Sequence, residues 1–480
     1  MLNVISILVL SFLLFIGGEK SAQATLATDC TLYVAANGKD TNSGTAPTAP
    51  KTLNGASSVS EPGDVTCLLG GTYNLASTFF PARSGTASAW IVYKAYGDST
   101  PTLTWTGSNS DPDGSLIHFY GNSNWTGQNY IEVRGLTFNG ANINTYALKC
   151  NASHHLRFIG NTLVNNGVGG IATKNCDYVY SEANSISHTG YNPINNTAGS
   201  GISYNSDMFF DTHLGFHNFV LNNIISGTYD ASAYHTDGNG IIMDLSNDSS
   251  DPSTANTPPV LIANNVVFEN GGRCITIFVV TNIWTINNTC YKNALDLSIS
   301  GNGEISTNNS KNSYFINNIA YSWNNRQTYQ QMHTNQNIVY YTNIYYGGSN
   351  NFTYSDPSQF INADPLFVNP PYVDSTEDGQ YATAPPPDQP GNSPACCCKL
   401  RGKKRMIHAR NNLAVQSNSP AIDKGIDPTT IPGISSEIIA GLRQHIFKDI
   451  NGNPRPRGHR FDIGAYEHTS LRKGKCHEHR

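Results

Sequence analysis

Residues 233–245, Ala-Tyr-His-Thr-Asp-Gly-Asn-Gly-Ile-Ile-Met-Asp-Leu, gather His235, Asp237 and Asp244 in a chain of which only 13% of residues are charged. Gly238 and Gly240 make the stretch a tight turn that feeds a short apolar strand. Upstream, Asp211 sits in Phe209-Phe210-Asp211-Thr212-His213, and downstream Arg273 follows Gly271-Gly272. Three carboxylates could supply part of the oxygen shell that calcium demands. An imidazole ionises near neutrality and is a natural general base. This set suits removal of a weakly acidic proton from the carbon beside a carboxylate, such as C5 of a uronate sugar. A cation on that carboxylate neutralises it and stabilises the enolate-like intermediate.

Such residues need a scaffold that brings distant segments to one face. From about residue 129 a short phrase recurs: alternating apolar residues, then Asn, then another apolar pair. Copies centre on Asn161, Asn184, Asn223, Asn265, Asn288, Asn318 and Asn343. Several spacings are about 23 to 30 residues, the length of one coil of a β-solenoid. Asn suits a turn stacked on its own copies, because it tolerates a left-handed backbone and its amide can bond the Asn above and below. A β-sandwich would not repeat the same strand–Asn–strand phrase so often. The spacings from Asn184 to Asn223 and from Asn223 to Asn265 stretch to about 40 residues, so extra chain leaves the coil around residues 233–245.

A second phrase aligns the coils. Gly169-Gly170-Ile171, Ser200-Gly201-Ile202, Asn239-Gly240-Ile241 and Arg273-Cys274-Ile275 occupy one position on successive turns. If each Ile points inward, so do Thr173, Tyr204, Met243 and Ile277. The outward rows then read Gly169, Ser200, Asn239, Arg273 and Lys174, Asn205, Asp244, Phe278. Asp244 and Arg273 fall on neighbouring rungs, with Asp237 in the turn leading in. Asn239, Asn205 and Lys174 are the expected substrate contacts, and Phe278 the expected sugar platform.

The 480-residue chain carries a net charge of −5, which gives no electrostatic reason to bind nucleic acid. Residues 1–24 read as a secretory signal, with an apolar run from Ile5 to Ile16 and Ala22-Gln23-Ala24 before the cleavage point. No later stretch is long and apolar enough to cross a bilayer as a helix. The mature protein is therefore expected to be secreted, off the membrane and monomeric. All ten cysteines lie beyond the signal. Cys30 with Cys67, Cys150 with Cys176, and Cys274 with Cys290 are plausible pairs, although spacing alone does not fix connectivity. Sequons occur at Asn124, Asn151, Asn195, Asn247, Asn287, Asn308 and Asn351.

The opening of the mature chain, Thr31-Leu-Tyr-Val-Ala-Ala-Asn-Gly-Lys-Asp and then Gly70-Gly71-Thr72-Tyr73, resembles that of secreted right-handed parallel β-helix proteins of the pectate-lyase-like superfamily. The stretch His235-Thr-Asp-Gly-Asn-Gly-Ile241 and the Gly-Gly-Arg at 271–273 are similar to segments of the same group. The resemblance implies an all-β fold: a parallel β-helix solenoid over 25–370 with an N-terminal cap. An irregular insert would follow at 371–411, rich in Pro, Cys and basic residues, and then a C-terminal closing segment at 412–480. Asn418-Ser-Pro-Ala-Ile-Asp-Lys-Gly425 and Phe461-Asp-Ile-Gly-Ala-Tyr-Glu-His468 resemble the closing motif of such proteins, a clasp on the last coils.

The resemblance also implies a function: a polysaccharide lyase that cleaves an acidic, uronate-containing glycan by β-elimination. In that group Arg or Lys takes the proton, which points to Arg273 as the base and leaves His235 as its rival. Asp211, Asp237 and Asp244 would hold calcium. Two other functions fit the same fold. One is a glycoside hydrolase that uses Asp237 and Asp244 as its paired carboxylates. The other is a non-catalytic glycan-binding or adhesion protein.

Overall fold

A computed structural model describes residues 29–468 apart from 109–113, 144–145, 193–198, 246–252, 254, 297, 300–302, 324–325, 350–356 and 372–411. The signal, most of the basic insert and the sequons at Asn195, Asn247 and Asn351 lie outside the described residues. Among the described residues thirty short strands form three sheets of 11, 11 and 8 strands, and every pairing between named strands is parallel. Each strand pairs with its counterpart one turn away. For example His154–Ile159 lies against Asp177–Glu182 in the first sheet, Thr162–Asn166 against Ser185–Thr189 in the second, and Gly169–Lys174 against Ile202–Asn205 in the third. The chain thus winds through three faces per coil, which is a β-solenoid.

Inward residues stack in rows along the axis. Ile171, Ile202, Ile241, Ile275 and Ile305 form one register row, and Thr173, Tyr204, Met243, Ile277 and Thr307 another; all are 3% exposed or less. Burying an aliphatic side chain of this size is worth about 1.5–3 kcal/mol, so the rows hold the coils in register. At the N-terminal end a short helix, Leu53–Val59, is started by Thr52, whose hydroxyl accepts the Gly55 N–H. It turns Leu53 and Ala56 into the same core, as expected of a cap.

The repeated Asn residues form a continuous buried ladder between the first and second sheets. Each side-chain oxygen accepts both the backbone N–H and the amide N–H of the Asn one coil earlier, at 2.9–3.2 Å from Asn161 through to Asn343. The left-handed residue is the one before the ladder Asn: Gly160, Ala183, Asn222, Asn264, Asn287, Asn317 and Thr342 all have φ between 47° and 64°. That kink frees the ladder residue to turn its amide into the stack. Asn287 is itself fully buried, so its sequon is part of the turn and not a glycan site.

A shorter ladder closes the corner between the second and third sheets. Thr228 donates to Asn270, Asn270 to Asn293, and Asn293 to both oxygens of Glu304, a fully buried carboxyl. The three expected cysteine pairs are all disulfides: Cys30–Cys67, Cys150–Cys176 and Cys274–Cys290.

The C-terminal segment does not stop at the last coils. The helix Ser436–His445 and residues up to Phe461 pack on outward side chains of the first sheet from Phe216 to Ile316. Leu413, Val415, Ile463 and Tyr466 cover the second sheet from Ile224 to Ile344. Two left-handed corner residues anchor it: the Asn264 amide donates to Lys448 O at 2.9 Å, and the Asn317 amide to Ile426 O at 2.9 Å. A buried ion pair, Arg455 with Glu467 at 3.0 Å, ties the segment to itself. The wrap covers two of the three faces over these coils and leaves the third sheet as the side to search for chemistry.

Candidate functional site

The outer face of the third sheet carries the aligned rows. Lys174, Asn205, Asp244, Phe278 and Asn308 are direct register partners on successive strands. Backbone bonds from Gly170 to Ser200, Gly201 to Asn239 and Gly240 to Arg273 place Ser200, Asn239 and Arg273 on successive rungs of the other row. Asp237, Asp244 and Arg273 therefore share one surface, and each is partly exposed there.

The turn that carries Asp237 is built by a residue the sequence reading passed over. Asp230, almost fully buried, accepts the N–H groups of Ser232, Thr236 and Asp237 at 2.9–3.0 Å. An Asp opening a run of turn residues is the usual signal for such an arrangement, and Asp230 was visible on that ground. Gly272 lets the turn sit against the next coil, since a Cβ there would collide with Asp237 O.

Electrostatics distinguish this surface. Burial, followed by the charges of Asp244 and Asp230, raises the Asp237 carboxyl to about 7; Arg273 and the Asn239 amide only partly offset this. Burial raises Asp244 to about 6 against the Asn205 hydrogen bond. Burial lowers the Arg273 guanidinium to about 10, while Asp237 pulls the other way. The Nε–H of Arg273 is buried with no hydrogen-bond acceptor, and its terminal nitrogen reaches only the Met332 sulfur at 4.0 Å. The guanidinium is partly exposed, so its terminal nitrogens rather than the buried Nε–H are the donors open to an anionic oxygen.

Other expected site residues are placed differently. Asn239 is fully buried: its amide donates to Asp237 at 3.1 Å and its oxygen accepts the Arg273 backbone N–H at 2.9 Å. Both ends of its amide are thus used within the site, which makes it a positioning residue. Asn205 donates to Asp244 at 3.1 Å. Lys174 is exposed and Phe278 is partly exposed on the Asp244 row. His235 lies in the turn with φ 45°, and its Nδ1 pairs with buried Asp296 at 3.0 Å, not with Arg273.

Asp211 is held at another edge. It accepts from the Tyr178 hydroxyl at 2.8 Å and from the His213 N–H at 3.0 Å, beside the first sheet. It does not join Asp237 and Asp244, since the loop from 206 to 217 carries it around the corner. Among the described residues, the side-chain set close enough to share one metal ion is Cys274, Cys290 and Glu304, whose cysteines are already joined in a disulfide. Asp237 and Asp244 remain the two carboxylates of the face at which a cation would relieve mutual repulsion.

Three parallel sheets, a stacked core and an Asn ladder decide the architecture. The fold is a parallel β-helix. No protein-family model matches the chain, and no curated protein matches it. Among solved structures it is similar to the pectate lyase Pel9A, at 17% identity over 93% of this chain and 98% of that one, with a TM-score of 0.46. It is also similar to a rhamnogalacturonan lyase, at 12% identity over 66% of this chain and 87% of that one (TM-score 0.43). A third likeness is to a glycoside hydrolase, at 11% identity over 66% and 94% (TM-score 0.46). Among the described residues no helix is long and apolar enough to cross a membrane.

Proposed function

We propose that this β-helix is a secreted, carbohydrate-active protein that cleaves an acidic, uronate-containing polysaccharide by β-elimination on the outer face of the third sheet. The observation that carries this reading is the partly exposed Arg273 guanidinium on the same face as Asp237 and Asp244. A uronate carboxylate would complete it and would place the adjacent C5 proton near the Asp237 carboxyl. Arg273 then holds the carboxylate and stabilises the charge that moves onto it as the proton leaves. Asp237, raised to about 7, is poised to take that proton near neutrality; the C4–C5 double bond forms as the C4–O bond breaks, and the departing oxygen takes a proton from water. Arg273 as the base is the variant that the family resemblance implies, and it requires alkaline conditions, because the guanidinium titrates at about 10.

Calcium at Asp237 and Asp244 belongs to the variant in which Arg273 is the base, because a carboxylate that holds the cation cannot also take the C5 proton. When bound there it would neutralise substrate carboxylate charge.

A pH–rate profile tests the assignment. With Asp237 as base and Arg273 as clamp, activity rises through about pH 7 and falls above about pH 10. With Arg273 as base it climbs steadily towards pH 10. A profile that titrates at neither value rejects both.

One observation favours a second reading. Two carboxyls on one face, raised to about 7 and about 6, also suit a glycoside hydrolase with Asp237 as acid and Asp244 as base. New reducing ends without an unsaturated product would identify it.

A further inference from the structure

The third sheet's outer rows continue well beyond Asp244 towards the N-terminal end, where they finish in aromatic rings. Phe79 bridges to Ile117, so Phe80 is the register neighbour of outward His118. Tyr120 heads the row Tyr120, Asn151, Lys174, Asn205, Asp244. Phe80 is 49% exposed and Tyr120 57% exposed, which is costly for large rings without a partner. Buried His118 contacts both, 5.4 Å from the Phe80 ring and 5.7 Å from the Tyr120 ring. Beside Phe80 lies a cavity of about 370 Å³ lined by Ala76, Ser77, Thr78, Trp105 and Ser108.

We infer that this corner is a distal sugar-binding subsite that holds the far end of the same acidic polysaccharide. The inference rests on the function proposed above. Exposed rings next to hydroxyls match a pyranose, which offers an apolar C–H face for stacking and hydroxyls at its rim. The occupant is set by continuity. From Tyr120 to Asp244 is four rungs, about 19 Å at about 4.8 Å per rung. The intervening side chains are Asn151, exposed Lys174 and Asn205, two amides and an ammonium suited to an anionic chain laid along the sheet. A short oligomer bound at Arg273 does not reach the corner, whereas a long one does. The subsite therefore selects for chain length.

Calorimetric binding of an oligogalacturonate trisaccharide and octasaccharide tests this, using the full chain and the double variant Phe80→Ala/Tyr120→Ala. The wild type is expected to bind the octasaccharide roughly 10-fold or more tighter than the trisaccharide, the worth of one or two ring contacts. The double variant is expected to lose that advantage with its trisaccharide Kd and thermal midpoint unchanged, since both rings lie outside the core. If the variant keeps the full length preference, the subsite is wrong while the central site stands. If the wild type binds neither these oligomers nor the matching oligomers of alginate and glycosaminoglycans, the acidic-glycan reading itself fails, and the subsite with it.

Discussion

Replacing Asn265 by Ala cuts the buried ladder in the middle of the solenoid, next to the coils that carry Asp244 and Arg273. Asn265 Oδ1 accepts the Asn223 N–H at 2.9 Å and the Asn223 amide at 3.0 Å; its own amide donates to Val220 O at 2.8 Å and to Asn288 Oδ1 at 2.9 Å. The truncation removes all four bonds. Asn288 keeps the Asn265 backbone N–H, but the two Asn223 donors and the Val220 carbonyl lose a partner in a region fully closed to water. At about 1–3 kcal/mol for each buried group left unsatisfied, and allowing for shared relaxation, the loss is about 3–5 kcal/mol. Urea unfolding followed by circular dichroism reads this as a lower midpoint with an unchanged slope. Asn337→Gly is the control. It removes one exposed bond, to Asn312 at 3.0 Å, and keeps the left-handed backbone, so it should cost about 0.5 kcal/mol or less. A loss below about 1 kcal/mol for Asn265→Ala would mean that the ladder follows from the fold and does not hold it together.

Other perturbations test separate parts of the structure. Glu304, which terminates the second ladder, is raised by burial from 4.5 to about 8. A folded-state value above the unfolded one means that its stabilising contribution is complete below about pH 4.5 and is lost as pH rises through about 8. Glu304→Gln should flatten that part of the stability–pH curve, and an unchanged curve would contradict the burial argument. Arg455→Met strands buried Glu467 and removes donors to Asp462 O and Gly464 O. It should cost about 3–5 kcal/mol, felt locally. Limited proteolysis should then cut within 412–468 while the coils stay resistant; uniform resistance would argue against a docked clasp held by this pair.

The fold was legible because its repeat is chemical as well as periodic. The interval between ladder Asn residues marks the coils, and the inward Ile residues at 171, 202, 241 and 275 fix the register of the third sheet. The second ladder was equally visible and went unread: Thr228, Asn270 and Asn293 each fall five residues after a ladder Asn. The reach of the C-terminal segment back to Phe216 was not legible, since it depends on which outward apolar residues of two sheets are left for it to cover.

The candidate site was legible only where it follows register. Asp244 and Arg273 lie on strands or at their starts, so alignment placed them. His235 and Asp211 lie in excursions whose paths are set by long-range partners. Asp296, 61 residues beyond His235, captures its imidazole, and Tyr178, 33 residues before Asp211, captures that carboxylate. Asn239 shows a third limit. The alternation rule put it outward, but it is fully buried, with its amide on Asp237 and its oxygen on the Arg273 N–H.

The central claim is that Arg273 and Asp237 form a β-eliminating site for an acidic glycan. Its most direct measurement is ultraviolet absorbance of the unsaturated product when the secreted protein is incubated with polygalacturonate, alginate and glycosaminoglycans, with and without a chelator. The account predicts a rise with at least one of these polymers that is abolished in both Arg273→Ala and Asp237→Asn, with the folded state of each variant intact. No rise with any polymer, or a rise that survives both substitutions, would contradict it.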